Sequence, residues 1–336
     1  MRDVGTGLAP CALSRTTMID AHVHLLGTGA GGTGCWLRRR ASHRQLETFM
    51  LREIGLTAAD LDGDFDRLFV ERLLAMIRDA GITRVWLLAQ EDVYDDAGKV
   101  VPDKATFYVP NDYVLALARQ HPEFAPAVSI HPARPDAMEE LERCLAGGAA
   151  AMKYLPNCQN IDPRLPKYRK FWERMAAAGL PMLAHTGGER VLPVVRPDLA
   201  DPRVLATPLE IGVTVIAAHC ATVGGSRRGY FPELLEMFGR FPRLYADISA
   251  VSFPGKIRCV RRVLQPDLVG RIVHGSDFPV PIQPFWAWLG GPLAFGEYRR
   301  IRKIPNPFAR DIAWKRAVGF PDAVFTRAGT LLRKTR

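Results

Sequence analysis

The sequence predicts an α/β fold, a (β/α)8 TIM barrel with an N-terminal arm, a long loop after the first strand and a C-terminal helical extension. Three observations predict it. Eight short apolar runs alternate with helix-forming segments between Met18 and Asp277. Five of those runs end in His, Lys or Asp, as strands opening on one face of a closed parallel barrel would. The first strand–helix turn lacks the Gly-x-Gly-x-x-Gly of an open doubly wound sheet, the competing architecture. The stretch from His22 to Asp277 is also close to the roughly 250 residues typical of the barrel. The expected divisions are an arm over 1–17, the barrel over 18–284 and the extension over 285–336.

Met18-Ile19-Asp20-Ala21-His22-Val23-His24 is the first strand. Strand side chains alternate between faces, so His22 and His24 leave on the same side, one rung apart. Gly27 to Arg44 reads as a long mobile loop. It is not a phosphate loop, because no Gly-Lys-Ser/Thr closes the run. A helix follows from about Asp64 to Ala80, its apolar face carrying Phe65, Leu68, Phe69, Leu73, Ala75 and Ile77. Gly81 ends it, and Ile82–Ala89 is the second strand. Glu91 to Lys104 is another loop, Asn111 to Gln120 a helix, and Phe124 to Ile130 the third strand, ending near His131.

The alternation continues. Asp136–Ala146 is helical, Gly147-Gly148 stops it, and Ala149–Tyr154 is the fourth strand. Lys167–Ala178 is helical and Pro181–His185 is the fifth strand. A helix near Val204–Ile211 leads into Thr214–His219, the sixth. Phe231–Phe238 is helical before Leu244–Asp247, the seventh, and a helix around Ile257–Leu264 precedes Arg271–Asp277, the eighth. From Phe285 the chain is Trp- and Arg-rich and mostly helical, expected to pack against the barrel.

Composition narrows the class. The 336 residues are 48% hydrophobic and 24% charged, ordinary for a globular chain with a substantial core. No apolar run approaches the roughly 20 residues of a membrane span, and no h-region separates Arg2 from Arg15. The six cysteines form no CxxC pair and read as reduced thiols, which points to the cytoplasm. The net charge of +10 gathers at Arg38–Arg40, Arg261-Arg262, Arg299–Lys303 and the tail Arg333–Arg336. With no nucleic-acid motif beside them, these clusters read as solvated helix faces and termini.

The first, fourth, fifth, sixth and eighth strands end in His22/His24, Lys153, His185, His219 and Asp277. Each alone has a structural explanation: His185 as a core histidine on a carbonyl, Asp277 as a turn residue before Phe278-Pro279. Together they set four imidazoles, an amine and a carboxylate around one rim. Imidazole and carboxylate suit Zn2+, and also Mn2+ or Fe2+, and the absence of cysteine argues against a purely structural zinc.

Asp20-Ala21-His22-Val23-His24, Met152-Lys153-Tyr154-Leu155-Pro156, Leu183-Ala184-His185-Thr186, Ala218-His219 and His274-Gly275-Ser276-Asp277 resemble the amidohydrolase superfamily of metal-dependent (β/α)8 hydrolases. Within it they resemble the amidohydrolase-related branch, amidohydrolase family 2, which includes nonoxidative decarboxylases. The segments span most of the chain in the family's order. The Lys153 stretch also looks like the fourth-strand segment of dihydroorotases, where the lysine is carboxylated. The chain departs in the Gly27–Asp64 insertion and at both ends, which leaves the substrate open.

The resemblance implies a metal-bound hydroxide as nucleophile, with one or two ions per chain. His22, His24 and Asp277 are ligands in either variant, and Asp277 carries the proton to the leaving group. With one ion, His185 is the remaining ligand and His219 is free to polarise substrate or shuttle a proton. With two, His185 and His219 bind the second ion and a carboxylated Lys153 bridges. The alternative for Lys153 is an ammonium pointing away from the metal. Tyr154, Asn157 and Glu189, just beyond strand ends, are candidate substrate contacts, with loop capping as the other explanation. Arg190 or Arg38–Arg40 could hold a carboxylate, or belong to the solvated surface.

Three function classes follow. The first is a hydrolase of an amide, cyclic amide, lactone or ester of a small, anionic substrate. The second is a nonoxidative decarboxylase or C–C hydrolase acting on an aromatic or vinylogous acid. The third is a non-catalytic basic scaffold, against which the full ligand set speaks. The expected partner is a small molecule, with neither nucleic acid nor membrane. A homo-oligomer is compatible with the sequence.

Overall fold

The computed structural model describes residues 17–39, 44–225 and 229–334. The barrel strands are β1 (Ile19–His24), β3 (Arg84–Leu88), β5 (Phe124–Val128), β6 (Ala151–Tyr154), β7 (Met182–Ala184), β8 (Val215–Ala217), β9 (Leu244–Asp247) and β10 (Ile272–Val273). They form one eight-stranded parallel sheet in that order. Backbone bonds then join its two edges: Ala21 N–H donates to His274 O at 3.0 Å, Asp277 N–H to His22 O at 2.9 Å and His24 N–H to Phe278 O at 2.8 Å. Closure removes both sheet edges and brings Asp277 beside His22.

The strands are readable as strands because their residues are apolar on both faces, as a parallel sheet covered by helices requires. One face fills the barrel: Trp86, Leu88, Ala125, Ala127, Leu183, Ile216 and Val273 pack into a single buried cluster. The alternate residues, among them Val85, Leu87, Met152 and Ala184, pack outward in a larger cluster against the helices. In β1 the register with β3 shifts between Asp20 and Val23. That irregularity puts Ile19 and Ala21 in the barrel cluster and Val23 in the outer one, and still leaves His22 and His24 facing inward.

Among the described residues the outer layer is α1 (Arg44–Ile54), α2 (Phe65–Asp79), α3 (Asn111–Gln120), α4 (Ala137–Ala146), α5 (Pro156–Gln159), α6 (Arg169–Ala178), α7 (Ala206–Ile211), α8 (Phe231–Arg240), α9 (Val260–Val263) and α10 (Pro266–Val269). The extension supplies α11 (Pro284–Leu289), α12 (Phe295–Ile301), α13 (Pro307–Ala317), α14 (Asp322–Thr326) and α15 (Ala328–Leu331). Its end is part of the barrel. Ala328 joins the interior cluster, His274 N–H bonds Val324 O at 3.0 Å, and Arg333 N–H bonds Ala150 O at 3.0 Å. Among the described residues no helix is long and apolar enough to cross a membrane.

Several expectations need correction. In the Gly27–Arg44 segment, read as a long mobile loop, the residues from Gly27 to Arg39 are anchored by hydrogen bonds and a short strand. Asp66 on α2 collects it, accepting bonds from the N–H groups of Thr28 at 2.6 Å and Gly29 at 3.2 Å and from the Thr33 hydroxyl. It also contributes β2 (Trp36–Leu37), which pairs antiparallel with β4 (Phe107–Tyr108). The helix α1, for which the sequence reading assigned no element, lies inside the Gly27–Asp64 insertion, directly after the segment read as loop. The eighth strand is only Ile272–Val273, and Asp277 stands four residues on, in a turn with φ of 69°. Residues 1–16 of the expected arm, Arg40, and Thr335 and Arg336 of the basic tail lie outside the described residues.

His131, after β5, joins two of the loops above the barrel. Its Nε2–H donates to Gln159 O at 2.8 Å and its Nδ1 accepts from Ala133 N–H at 3.0 Å. Burial lowers its pKa from 6.5 to about 4. Below 6.5 the unfolded imidazole takes a proton that the folded one refuses until about 4, so stability falls across that window as the pH drops. The gap is worth about 3 kcal/mol. Urea unfolding of His131→Gln should therefore lose about 3 kcal/mol less than the parent between pH 7 and pH 4. Identical pH profiles would remove His131 from the account.

Candidate active site

The strand C-termini open into a cavity of about 270 Å³ that His22, His24, Lys153, His185, His219 and Asp277 all line. The barrel thus brings together every residue that the strand ends suggested as a ligand. Three of them converge closely. His22 Nε2 and His24 Nε2 are 3.3 Å apart, and Asp277 Oδ1 lies 3.2 Å from the first and 3.4 Å from the second. Donors at 2.0–2.1 Å from one zinc lie about 3.3–3.4 Å apart at tetrahedral angles, so this trio fits a divalent ion. His22, His219 and Asp277 also offer ligand atoms within 4.8 Å of one another. His185 Nε2 is buried without a hydrogen-bond partner, 3.6 Å from Glu189 Oε2. Such an unpaired donor suits a ligand position better than a packed core histidine.

The protonation pattern fits as well. Asp247, at the end of β9, accepts from His22 Nδ1–H at 2.7 Å through Oδ2. Its Oδ1 accepts from His219 N–H at 2.7 Å and from the Ser249 hydroxyl at 2.6 Å. His219 Nδ1 faces Ser249 O at 3.1 Å, and a carbonyl can only accept, so this nitrogen carries the proton. The Ser249 oxygen, 3.1 Å from His22 Nδ1 and 2.8 Å from His219 Nδ1, is left to accept from both. Both rings are thereby held with the lone pair on Nε2, the form a metal ligand needs. Burial keeps them neutral, lowering the pKa of His22 and His219 well below the ordinary value and that of His185 to about 4.

Backbone geometry supports these positions. His219, Cys220 and Ala221 all have positive φ, of 58°, 50° and 51°, a costly conformation for residues with a Cβ. It turns the His219 ring into the cavity, with the Asp247 carboxylate holding the His219 amide. Gly275 is needed beside His22, because a Cβ there would stand 2.8 Å from the His22 Cβ. Asp20 Oδ1 accepts from the N–H groups of His22 at 2.9 Å and Ser276 at 3.0 Å, fixing β1 against the turn that carries Asp277.

Lys153 is buried on the inward face of β6, its Nζ 2.8 Å from His22 Nε2. Burial lowers its pKa from 10.5 to about 8, against the opposing pull of Asp277, Asp247 and Glu189. The expected substrate contacts divide. Glu189 lines the cavity, one carboxylate oxygen accepting from the N–H groups of Arg190 at 2.7 Å and Leu192 at 3.1 Å. Tyr154 does not. It follows inward-facing Lys153 on the strand, so it points outward, edge-on to Trp172 with ring centres 5.5 Å apart. Asn157 is buried in α5 and ties down the next loop, its carbonyl accepting from Val195 and Arg196 N–H, each at 2.9 Å. Arg38 is used on Pro102 O at 2.7 Å, and Arg190, although beside the cavity, donates to Gly224 O at 2.6 Å.

Sequence reasoning missed Asp247, Ser249 and Lys256. Asp247 had a signal, since it closes the seventh apolar run as His219 closes the sixth. Lys256 had none, because it lies in a one-turn 3-10 helix (Lys256–Cys259) of the loop after β9.

Comparison with known proteins decides the family. The Amidohydrolase (Amidohydro_2) family model matches residues 19–296. The chain belongs to the amidohydrolase family. Members are generally metal-dependent, in keeping with the His/His/Asp cluster. Among curated proteins no sequence matches this amidohydrolase. An uncharacterised TIM-barrel protein of Bordetella bronchiseptica is 19% identical, with a TM-score of 0.56 over 93% of this chain and 99% of that one. A Pseudomonas putida protein named as a 2-pyrone-4,6-dicarboxylic acid hydrolase is 15% identical, TM-score 0.54, over 94% and 97%. The 5-carboxyvanillate decarboxylase of Sphingomonas paucimobilis is 12% identical, TM-score 0.52, over 95% and 100%. At these identities the likeness is one of fold.

Asp247 makes a specific expectation. Asp247→Ala frees the His22 ring, the His219 amide and the Ser249 hydroxyl together, so divalent-ion affinity measured by chelator competition should weaken roughly 10- to 100-fold, with the circular dichroism spectrum retained. Unchanged affinity would mean that Asp247 does not orient the ligands.

Proposed function

We propose that this amidohydrolase is a metal-dependent hydrolase that cleaves an amide, cyclic amide, lactone or ester of a small molecule. The observation that carries the reading is the convergence of His22 Nε2, His24 Nε2 and Asp277 Oδ1 to within 3.2–3.4 Å at the mouth of the barrel. These three would hold a zinc ion, or Mn2+ or Fe2+, with His185 and His219 as the further ligands. Such an ion supplies Lewis acidity and water activated at neutral pH. Asp277 accepts the proton shed by the attacking water and delivers it to the leaving nitrogen or oxygen, so that hydroxyl ends on the acyl carbon and hydrogen on the leaving atom. His219, neutral with its lone pair on Nε2, acts as a ligand or proton acceptor, not as a donor to the substrate carbonyl. Glu189 closes the His185 side of the cavity.

Lys153 belongs to this centre. An ammonium about 4 Å from a divalent ion costs about 8 kcal/mol at an effective dielectric of 20, more than burial already takes from it. The amine would therefore be neutral beside an ion, and we propose that it captures carbon dioxide, forming an N–C bond and releasing a proton, to give a carbamate whose oxygens would help hold a second ion. Free buried thiols at Cys35, Cys144, Cys158, Cys220 and Cys259 support a cytoplasmic setting.

A second reading, nonoxidative decarboxylation, has the apolar cavity wall in its favour. Leu26, Met50, Phe107, Leu192 and Phe253 would strip water from a substrate carboxylate. Proton release from panels of lactones and esters and amine release from amides, run beside carbon dioxide release from aromatic acids, separate the two.

Asp277→Asn should lower turnover at least about 100-fold on any accepted substrate and lower metal content on the same protein. Full activity in this variant would overturn the site. For Lys153, protein purified with bicarbonate should hold two ions per chain and Lys153→Met one. One ion in both would leave Lys153 a neutral amine beside a single metal.

A further inference from the structure

We infer that Lys256 is the group that receives a carboxylate of the substrate, and that the cavity takes a largely apolar carboxylic acid. The inference rests on the cavity being a substrate site, as proposed above, and it adds the chemical class. Among the described residues the buried cations are Lys153, Lys256, Arg310 and Lys315. Two are satisfied by the protein. Lys315 pairs with Asp311 and donates to Gly275 O at 2.8 Å. Arg310 pairs with Glu53 and donates to Ile304 O at 3.0 Å. Lys153, 2.8 Å from His22 Nε2, belongs to the proposed metal centre.

Lys256 is different. It is 9% exposed, lines the cavity, and has neither a hydrogen bond nor an ion pair within 4 Å among the described residues. A buried ammonium without a partner is costly, and a fold retains one most readily where a ligand completes it. The protein also fixes its position. Gly255, with φ of 83°, could not carry a Cβ, which would stand 2.2 Å from Gly225 O, and Gly225 N–H bonds Pro254 O at 2.8 Å. The loops after β8 and β9 are thus locked together directly before Lys256.

The rest of the cavity defines the occupant. Its charged and ligand-forming groups gather around His22, His24, Lys153 and Asp277, and its wall is Leu26, Met50, Phe107, Leu192, Phe253 and Val280. Glu189 and Arg190 also line it, but both are engaged with backbone groups of neighbouring residues. A molecule that fits places a carboxylate on Lys256, an apolar and preferably aromatic body against Phe107, Phe253 and Met50, and its reacting group toward Asp277. A charge-assisted bond of this kind, in a site shielded from water, is among the stronger single contacts available to a small acid.

The test uses benzoate and phenylacetate as probes, benzamide as the neutral analogue of benzoate, and acetate as a carboxylate lacking the body. Binding is followed by calorimetry on metal-loaded and on chelator-treated protein. Wild type should bind benzoate or phenylacetate about 10- to 100-fold tighter than benzamide or acetate. Lys256→Met should lose the preference for benzoate over benzamide while keeping the wild-type metal content, and Lys256→Arg should restore part of it. A preference that survives in Lys256→Met would place the carboxylate on the metal or the imidazoles and overturn the inference. So would the absence of binding by both aromatic acids at millimolar concentration. Should Lys256→Met fail to fold, Lys256→Gln and the wild-type comparison of benzoate with benzamide decide, and equal affinities refute the role. Protein that binds no metal yet shows a Lys256-dependent preference would sink the metal-hydrolase reading and leave this one standing.

Discussion

The buried carboxylate of Asp247 is the constraint on which the site depends. It accepts from the His22 ring, from the His219 backbone and from Ser249, all without solvent exposure of its own. Removing such an acceptor would leave several donors unpaired at once, and unpaired buried donors are expensive. One residue therefore fixes the tautomer of His22, holds the backbone of His219 at its positive φ, and anchors Ser249, whose oxygens face the His219 ring. The Nε2 atoms of His22 and His219 need no metal to find their orientation, because the bonds behind their Nδ1 atoms already impose it.

The same logic extends downward into the barrel. Asp20 ties the backbone of His22 to that of Ser276, and burial raises its own pKa to about 7. Beneath it Lys315 holds the carbonyl of Gly275, and α14 holds the amide of His274 through Val324. The C-terminal extension thus supports the β10 turn that delivers Asp277. This explains why a helical segment remote from the cavity is packed so deeply, with Trp314 and Lys315 fully buried. A site that must hold donors within a few tenths of an ångström is built on elements held from both ends.

Much of the fold was readable in the sequence for a physical reason. A parallel strand inside a barrel is apolar on both faces, so each of the eight announced itself as a short continuous run between helices. The ligand-bearing residues were readable because they cap those runs. What escaped lay off the strand pattern. The course of Gly27–Arg39 depends on a distant acceptor, Asp66, which no local signal links to it. Lys256 sits in a loop whose path is set by contacts between glycines and carbonyls of two other loops. Tyr154 was singled out only for lying just beyond a strand end. Adjacent residues on a strand face opposite ways, and Trp172 claims its ring on the outer side.

The formal charge of +10 takes a different meaning once the surface is visible. Many arginines are already matched: Arg67 with Asp64 and Glu71, Arg143 with Asp112 and Glu140, Arg174 with Glu142, Arg262 with Asp267. Exposed pairs of this kind add little to stability, but they dissipate the field a polyanion would follow. Inside the cavity the balance is reversed. Burial keeps the imidazoles neutral, and Glu189 is engaged by backbone amides, while Lys256 has no hydrogen bond or ion pair within 4 Å among the described residues and feels Asp277, Glu189 and Asp247 only from farther off. A divalent ion bound by His22, His24 and Asp277 would add further positive charge within the same low-dielectric walls, where each charge acts over a longer range than at the surface. With a substrate carboxylate on Lys256, electrostatic selection would be concentrated at the mouth of the barrel, on an anion small enough to enter it.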